Sequence, residues 1–225
     1  MVVEKIINEN KPLLVLIHGG NSSPSEWKEH VEALKDNFSL WLITIPGHGK
    51  DHTSPYEAIR VNAVNFLNEI KKEYNECYVY GRGLGGQIAV AMCLEDGNFV
   101  KKAIFESTLC ITAGLLTFAF RLNSRLSYRP NIEDVEKGLC LSKQNYALMV
   151  RDNTAFALDN RVNECNTSVY VLYSENDDKL ISKSADHLCG YFKNSTRAKY
   201  QFGHHLGITH FKEIFPSLEE FLLKN

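Results

Sequence analysis

The sequence predicts an α/β fold, with helices covering both faces of a mostly parallel sheet, on three observations. Short and almost wholly apolar runs such as Leu13–Ile17 alternate along the chain with longer segments of helical periodicity. Strands buried on both faces form continuous apolar runs, whereas a covering helix carries one apolar face. Glycine, proline and aspartate follow the runs, as expected where strands end in loops. The 225 residues are enough for one domain with a substantial core.

Six strands and four helices are predicted outside the middle of the chain. The strands lie at residues 13–17, 40–45, 77–80, 100–105, 168–173 and 198–202. The helices run from Pro24 to about residue 36 and over 55–74, 84–94 and 211–223, where apolar residues recur at helical spacing. About 12 residues precede the first strong strand, so we expect a small sheet.

Residues 108–161 interrupt this alternation with helical patterns alone. The segment is too long for an ordinary loop between two strands. It predicts a helical cap inserted into a single domain of residues 1–225. Within the cap, the apolar stretch at 115–120 favours core packing over a lipid-binding slot.

Composition excludes several classes of function. Twenty-five Lys and Arg against 27 Asp and Glu give a net charge of −2, which does not point to nucleic acid or an anionic membrane as the main partner. No apolar stretch is long enough to predict a membrane span. The six cysteines are scattered without metal-ligand spacing, so we expect no metal and no cofactor. Without a secretory signal at the N-terminus, reduced thiols and a cytoplasmic location are favoured over three disulfides.

Four predicted strands end in loops that are rich in polar residues or glycine. These loops are at residues 18–20, 81–85, 176–178 and 203–205. Ligands of open parallel sheets bind beyond the carboxyl ends of the strands. The loops are therefore expected to meet in one site.

Five segments carry a resemblance to a known family. They read LVLIHGG, IPGHGKDHTSP, YVYGRGLGGQIA, VYVLYSENDDKLIS and FGHHLGITH, in that order. In this order and spacing, the chain resembles the α/β-hydrolase superfamily, and most of all its small, capped esterase, lipase and C–C hydrolase branch. The resemblance implies hydrolysis of a carboxylic ester or a related acyl compound by a Ser-Asp-His triad. It also implies a small-molecule acyl or carboxylate ligand as the partner.

The resemblance also assigns roles to individual residues. It implies that Asp177 is the acid of the triad and that His204 is the base. The backbone N–H groups of Gly20 and Leu84 would form the oxyanion hole. From the residues alone, Asp178 and Glu175 remain alternatives to Asp177, as His205 does to His204.

The nucleophile position departs from the family. The elbow motif is Gly-x-Ser-x-Gly, and this chain has Gly83 in place of the serine. Without a hydroxyl group at this position, the acyl-enzyme route is closed to the chain. Two interpretations follow: a hydrolase that is impaired or uses water directly, or a non-catalytic protein that binds a small acyl or carboxylate ligand.

Two further patterns have competing interpretations. The glycines at 81, 83 and 86 also match a dinucleotide-binding motif, although Glu106 is the only acidic residue at the distance that would suit a ribose. Arg121, Arg125 and Arg129 in the cap predict a solvated helix face. Alternatively, one of them or Arg82 beside the elbow binds a substrate carboxylate.

Overall fold

Seven strands form one sheet in the computed structural model, which describes residues 1–112, 114–158, 165–203 and 206–224. The strands are β1 (Val2–Ile6), β2 (Leu13–Ile17), β3 (Ser39–Thr44), β4 (Cys77–Arg82), β5 (Val100–Glu106), β6 (Ser168–Ser174) and β7 (Ser195–Tyr200). Their order across the sheet is β1-β3-β2-β4-β5-β6-β7. β1 is antiparallel to β3, and the other neighbours are parallel. The predicted α/β fold is confirmed.

Helices cover both faces of this sheet. They are α1 (Lys28–Leu34), α2 (Ile59–Ile70), α3 (Leu84–Glu95), α4 (Leu115–Ser127), α5 (Ile132–Glu136), α6 (Lys143–Ala155), α7 (Lys179–Tyr191), α8 (Leu206–Thr209) and α9 (Phe211–Leu223). Side chains of α2, α3 and α7 share one apolar core, and those of α1 and α9 share the core on the opposite face. β2 and β3 are buried along their whole length, which explains their continuous apolar sequences. None of the helices in the described ranges is long and apolar enough to cross a membrane.

Both edge strands and one helix were misplaced or not predicted. The last strand is Ser195–Tyr200 and not 198–202, and none of its side chains is fully buried because it lies at the edge of the sheet. The opposite edge strand, Val2–Ile6, carries two exposed charged residues and was not predicted. It extends the sheet beyond the small one that was expected. Helix α7 was also not predicted, whereas the predicted helix at Phe211–Leu223 is confirmed.

Helices α4, α5 and α6 lie between β5 and β6, in the segment predicted as the cap. The side chains of Asn145, Asp152 and Asn153 attach α6 to the sheet domain. Asp152 Oδ2 accepts hydrogen bonds from the Ile59 N–H at 2.7 Å and the Tyr56 hydroxyl at 2.9 Å. The Ile59 N–H is one of the first-turn donors of α2 that has no partner within its own helix, so a cap residue completes a core helix.

Two amides of α6 add further hydrogen bonds to the core. The Asn145 side chain accepts from the Tyr56 N–H at 3.0 Å and donates to the Ser54 carbonyl at 3.0 Å. Asn153 and Gln87 bond reciprocally, since Asn153 Nδ2 donates to Gln87 Oε1 at 2.9 Å and Gln87 Nε2 donates to the Asn153 carbonyl at 2.8 Å. Helix α6 is thereby fixed over the carboxyl ends of the strands.

Candidate active site

The carboxyl ends of neighbouring strands carry four of the predicted site residues: Gly20, Gly83, Leu84 and Asp177. In the register of the sheet, Ile17 of β2 lies beside Gly81 of β4, and Arg82 lies beside Glu106 of β5. Glu106 in turn lies beside Leu172 of β6. In the sheet, β3 lies on one side of β2, and β4, which follows β3 in the chain, lies on the other side. The direction of the connections therefore reverses at β2, and open α/β sheets bind ligands at such a switch point.

Gly83 forms the sharp turn between β4 and α3. Its φ is +53° and its ψ is −112°, a conformation that costs a residue with a Cβ about 1–3 kcal/mol. The Gly83 N–H donates to the Glu106 carbonyl at 2.8 Å, and the Gln87 N–H donates to the Gly83 carbonyl at 3.1 Å. A Cβ at Gly83 would have no described atom within 4 Å. The turn is therefore a sharp strand-to-helix turn at positive φ, and the space into which a side chain would project is open.

The other glycines of the motif are required by close packing. A Cβ on Gly81, Gly85 or Gly86 would overlap the Gly85 carbonyl, the Ile17 carbonyl or the Thr108 hydroxyl, respectively. This packing of strand against helix accounts for the glycine pattern without a dinucleotide. Glu106, the acid considered for a ribose, is fully buried and already bonded, so the dinucleotide interpretation loses its second feature.

The two predicted oxyanion-hole residues are neighbours. A Cβ built on Gly20 would lie 3.6 Å from the Leu84 Cβ and 2.7 Å from the Met149 sulfur of α6. Leu84 is the first residue of α3, so its N–H belongs to the four donors that the helix itself cannot satisfy. The positive end of the helix dipole lies at the same point.

Asp177 lies in the loop after β6, where Ser107 and Ser174 donate hydrogen bonds to its carboxylate. Its Oδ2 accepts the Ser107 hydroxyl at 2.6 Å and the Ser174 N–H at 3.0 Å. Ser107 has a φ of +46°, unusual for a residue other than glycine, and follows β5 directly. The sequence analysis gave Ser107 no part beside Asp177. A non-glycine residue of this conformation at the end of a strand cannot be recognised from its letter.

The two alternative acids have other contacts. Asp178 caps α7, with Oδ1 accepting the Leu180 N–H at 2.7 Å. Glu175 is exposed and pairs with Lys199 at 3.2 Å. Both observations favour Asp177 as the acid.

The predicted base His204 and its alternative His205 lie outside the described residues. The chain is held on both sides of them. Before them, the Ser174 hydroxyl contacts the carbonyls of Phe202 at 2.9 Å and Gly203 at 2.7 Å. After them, the Gly207 N–H donates to Glu106 Oε1 at 2.8 Å.

Glu106 is a buried carboxyl group beneath the site. Its Oε2 accepts the Tyr80 hydroxyl at 2.6 Å. Burial raises the pKa of Glu106, and the charge of Arg82 and the two hydrogen bonds only partly oppose this rise. Glu106 joins β4, β5 and the start of α8 below the strand ends.

Arg82 is buried, with its guanidinium paired to Glu26 rather than facing a ligand. The two side chains are 3% and 5% exposed. Glu26 also accepts the Gly19 N–H at 3.0 Å and the Ser22 hydroxyl. The ion pair therefore holds the loop after β2 against the end of β4. This placement does not support Arg82 as a ligand for a substrate carboxylate.

Arg121 and Arg125 lie in a groove of about 720 Å³ between α4 and α6, among residues that do not include those of the elbow. Arg121 Nε donates to the Thr154 hydroxyl at 2.6 Å. The structure thus brings Gly20, Gly83, Leu84 and Asp177 to the strand ends and places the two cap arginines in a separate groove.

Three histidines near the site are buried and neutral. Burial lowers the pKa of His18 to about 4 and the pKa of His30 to about 3, with a smaller contribution from the charge of Arg82 in both cases. Burial also lowers the pKa of His48 to about 3. His18 has a clear structural role, since its Nε2 accepts the Ile45 N–H at 3.1 Å.

These depressed pKa values predict loss of stability in mild acid. An unfolded histidine takes up a proton near pH 6.5, whereas the folded ones do so only near pH 3–4, so the unfolded state binds more protons in between. The free energy of unfolding should fall as the pH falls from 6.5 to 4, by at most about 4 kcal/mol per pH unit for three histidines. The raised pKa of Glu106 opposes part of this slope. Urea unfolding at several pH values measures it.

A matched variant isolates one histidine. His30 packs between the rings of Trp27 and Phe211, and neither of its nitrogens has a hydrogen-bond partner among the described residues. His30→Phe should preserve stability at pH 7 and reduce the slope by about 1.4 kcal/mol per pH unit. An unchanged slope would show that His30 does not contribute.

Known proteins resemble this chain in sequence and in fold. Over 101 residues it is 32% identical to the pimeloyl-[acyl-carrier protein] methyl ester esterase of Nitrosospira multiformis, a match that covers 43% of this chain and 38% of that protein. The esterase of the same name from Nitrosomonas europaea is 28% identical over 102 residues, which are 45% of this chain and 39% of the relative. The matched part is thus about two fifths of these relatives.

Solved structures match nearly the whole fold. MenH from S. aureus superposes with a TM-score of 0.77 and 21% identity, covering 98% of this chain and 97% of its own. The enol-lactonase from Burkholderia xenovorans LB400 gives a TM-score of 0.83 at 13% identity, with 99% and 96% covered. The sequence profile of the alpha/beta hydrolase family matches residues 14–192. Since this match spans most of the sheet and the elbow, the chain belongs to the alpha/beta hydrolase family.

Proposed function

We propose that this chain binds a small carboxylic ester or acyl compound at the end of β4 and does not form an acyl-enzyme with it. One observation carries the proposal: Gly83 keeps the strained backbone of the elbow and faces open space. In this site a carbonyl oxygen is bound by the N–H groups of Gly20 and Leu84. No oxygen at position 83 attacks the carbonyl carbon, so the ester bond is preserved.

We propose that the acid and the base of a catalytic triad are still present beside this ligand. Asp177 is the acid and His204 is the base, with Asp177 orienting the imidazole and stabilising its charged form. Ser107 and the Ser174 N–H hold the Asp177 carboxylate in place. A retained pair of this kind can polarise a bound water, so any residual turnover proceeds by direct attack of water and is slow.

Fluorophosphonate labelling tests the missing nucleophile. The chain should gain no mass from the probe, because no serine stands at position 83 to attack phosphorus. Gly83→Ser is the positive control and should be labelled once per molecule, as measured by intact-protein mass spectrometry. Stoichiometric labelling of the unsubstituted chain would contradict the proposal and would point to Ser107 as the reactive residue.

Ligand-observed NMR tests the binding. The relatives are named methyl ester esterases, so monomethyl pimelate is a suitable probe. It should show saturation transfer from this chain and remain unhydrolysed. Gly83→Asn should abolish the signal, because the asparagine side chain fills the open space. Gly114→Asn is the matched control, since Gly114 in the cap also has positive φ and a Cβ there would meet no described atom within 4 Å. Binding that survives Gly83→Asn would place the ligand elsewhere.

A further inference from the structure

Helix α4 of the cap exposes large apolar side chains. Among those of its side chains whose burial the structure describes, the buried ones are polar: Thr117 is 8% exposed and Ser124 is 7% exposed. On the outer face, Phe118 is 71% exposed, Leu122 is 49% exposed and Leu126 is 58% exposed. These three follow one another at intervals of four residues, so they form one stripe along the helix. The stretch predicted to pack in the core is therefore exposed in part.

A stripe of this kind is unfavourable in water. A helix on the surface of a globular protein normally turns its apolar stripe to the core and its polar face to solvent. Contiguous apolar surface that remains exposed marks a site of interaction with a partner or a membrane. Phe120, a further large apolar residue of α4, is 55% exposed. We therefore expect the outer face of α4 to bind an apolar surface.

The charged side chains of α4 and of the groove beside it are positive. The helix contains no Asp or Glu between residues 115 and 127. Cations line the groove beside it, with no acidic residue among its described lining: Arg121, Arg125, Lys143 and Arg151. The chain as a whole has a net charge of −2, so this cluster is a local reversal of sign. A second copy of the chain would bring like charges face to face in a symmetric dimer, which excludes it as the favoured cover.

We propose that the outer face of α4 binds the surface of an anionic lipid membrane, with the helix lying parallel to it. A helix with Phe and Leu on one side and Arg and Lys beside them has the form that binds at such interfaces. The side chains of Phe118, Leu122 and Leu126 enter the acyl region. The basic side chains bind lipid phosphates, to which Arg can donate two hydrogen bonds at once. Phe118 and Leu122 also line the groove that carries the basic side chains, so the apolar and the positive groups are presented together.

This arrangement brings the entrance of the site close to lipid. Helix α4 packs on α6, and Met149 of α6 lies against Gly20. The membrane-bound molecule therefore has its strand ends on the side of the bilayer. The inference does not depend on whether Gly83 prevents hydrolysis, since binding through α4 needs no reaction.

Vesicle co-sedimentation tests the proposal. The full chain should bind vesicles of phosphatidylcholine and phosphatidylglycerol in equal parts, with an affinity that falls as salt rises. It should bind vesicles of phosphatidylcholine alone at least tenfold more weakly. Phe118→Ser with Leu122→Ser should reduce binding to the mixed vesicles by more than tenfold. Arg125→Gln should reduce it by about fivefold, the effect of one basic residue near a charged surface.

Matched variants control for loss of exposed apolar surface and of charge. Val61→Ser with Val64→Ser removes exposed apolar residues from α2, and Lys212→Gln removes one exposed positive charge from α9. Both should bind as the unsubstituted chain does. Absence of binding, or equal loss in the control and α4 variants, would overturn the proposal. If poly-glutamate binds with the same sensitivity to the α4 variants while vesicles do not bind, the surface belongs to an acidic protein and the lipid proposal is wrong.

Discussion

Gly83→Ser is expected to give this chain measurable esterase activity towards p-nitrophenyl butyrate, about 10³- to 10⁶-fold above the unsubstituted chain. The members of a catalytic triad act as a unit, so removing the nucleophile alone costs nearly as much as removing all three. Restoring it to an otherwise intact site should recover most of the loss. The structure leaves the space for the new side chain open, because a Cβ at Gly83 would have no described atom within 4 Å. Release of p-nitrophenol measures the rate.

Two double variants distinguish a restored triad from an incidental hydroxyl group. Gly83→Ser with Asp177→Asn should lose activity because the base would no longer be oriented. Gly83→Ser with His204→Ala should lose it because no base would remain. A folded Gly83→Ser protein that is no faster than these two would show that the site is not a disabled hydrolase. The binding interpretation would then stand alone.

The restored serine should also lower stability. At φ +53° a Cβ is strained, so Gly83→Ser should reduce the free energy of unfolding by about 1–3 kcal/mol. Gly114→Ser, at φ +59° in the cap, provides a comparison of the same substitution away from the strand ends.

Glu26→Gln is expected to reduce the free energy of unfolding by about 3–5 kcal/mol, as measured by urea denaturation. The substitution leaves the Arg82 guanidinium buried without its counter-charge, which is the costly way to break such a pair. Glu26 also accepts the Gly19 N–H, so the loop that carries Gly20 loses its attachment.

The double variant Glu26→Leu with Arg82→Met is the control. It replaces both charges with apolar groups of similar size, and buried pairs often tolerate this with little loss. We expect it to be more stable than Glu26→Gln. A loss below about 1 kcal/mol for Glu26→Gln would show that solvent reaches Arg82 in the folded protein.

The sequence predicts those parts of the fold that have local patterns. The strand Leu13–Ile17 could be predicted because a strand buried on both faces is apolar throughout. The helix Phe211–Leu223 could be predicted because one buried face makes apolar residues recur at helical spacing. The edge strand Val2–Ile6 has no such pattern, since two of its five side chains are exposed and the other three are only partly buried, and only its pairing with β3 makes it a strand.

The candidate site follows the same rule. The positions of Gly83 and Asp177 at strand ends could be predicted because motif order marks them, and their roles stay predictions. Glu26 and Arg82 lie in different segments of the sequence, and neither segment indicates that the two side chains form an ion pair. Likewise, the letters of α4 show an apolar helix but not which face meets α6. These are tertiary contacts, which a single sequence does not display.

The hydrogen bonds between α6 and the core restrict how the cap can change in evolution. Asp152 completes the first turn of α2, and Asn153 shares two hydrogen bonds with Gln87 of α3. A cap without these groups would leave donors of two core helices unsatisfied. Cap and core therefore cannot be exchanged as modules. A new specificity has to arise by point substitutions within the existing cap, most freely in α4, whose outer face supports no part of the core.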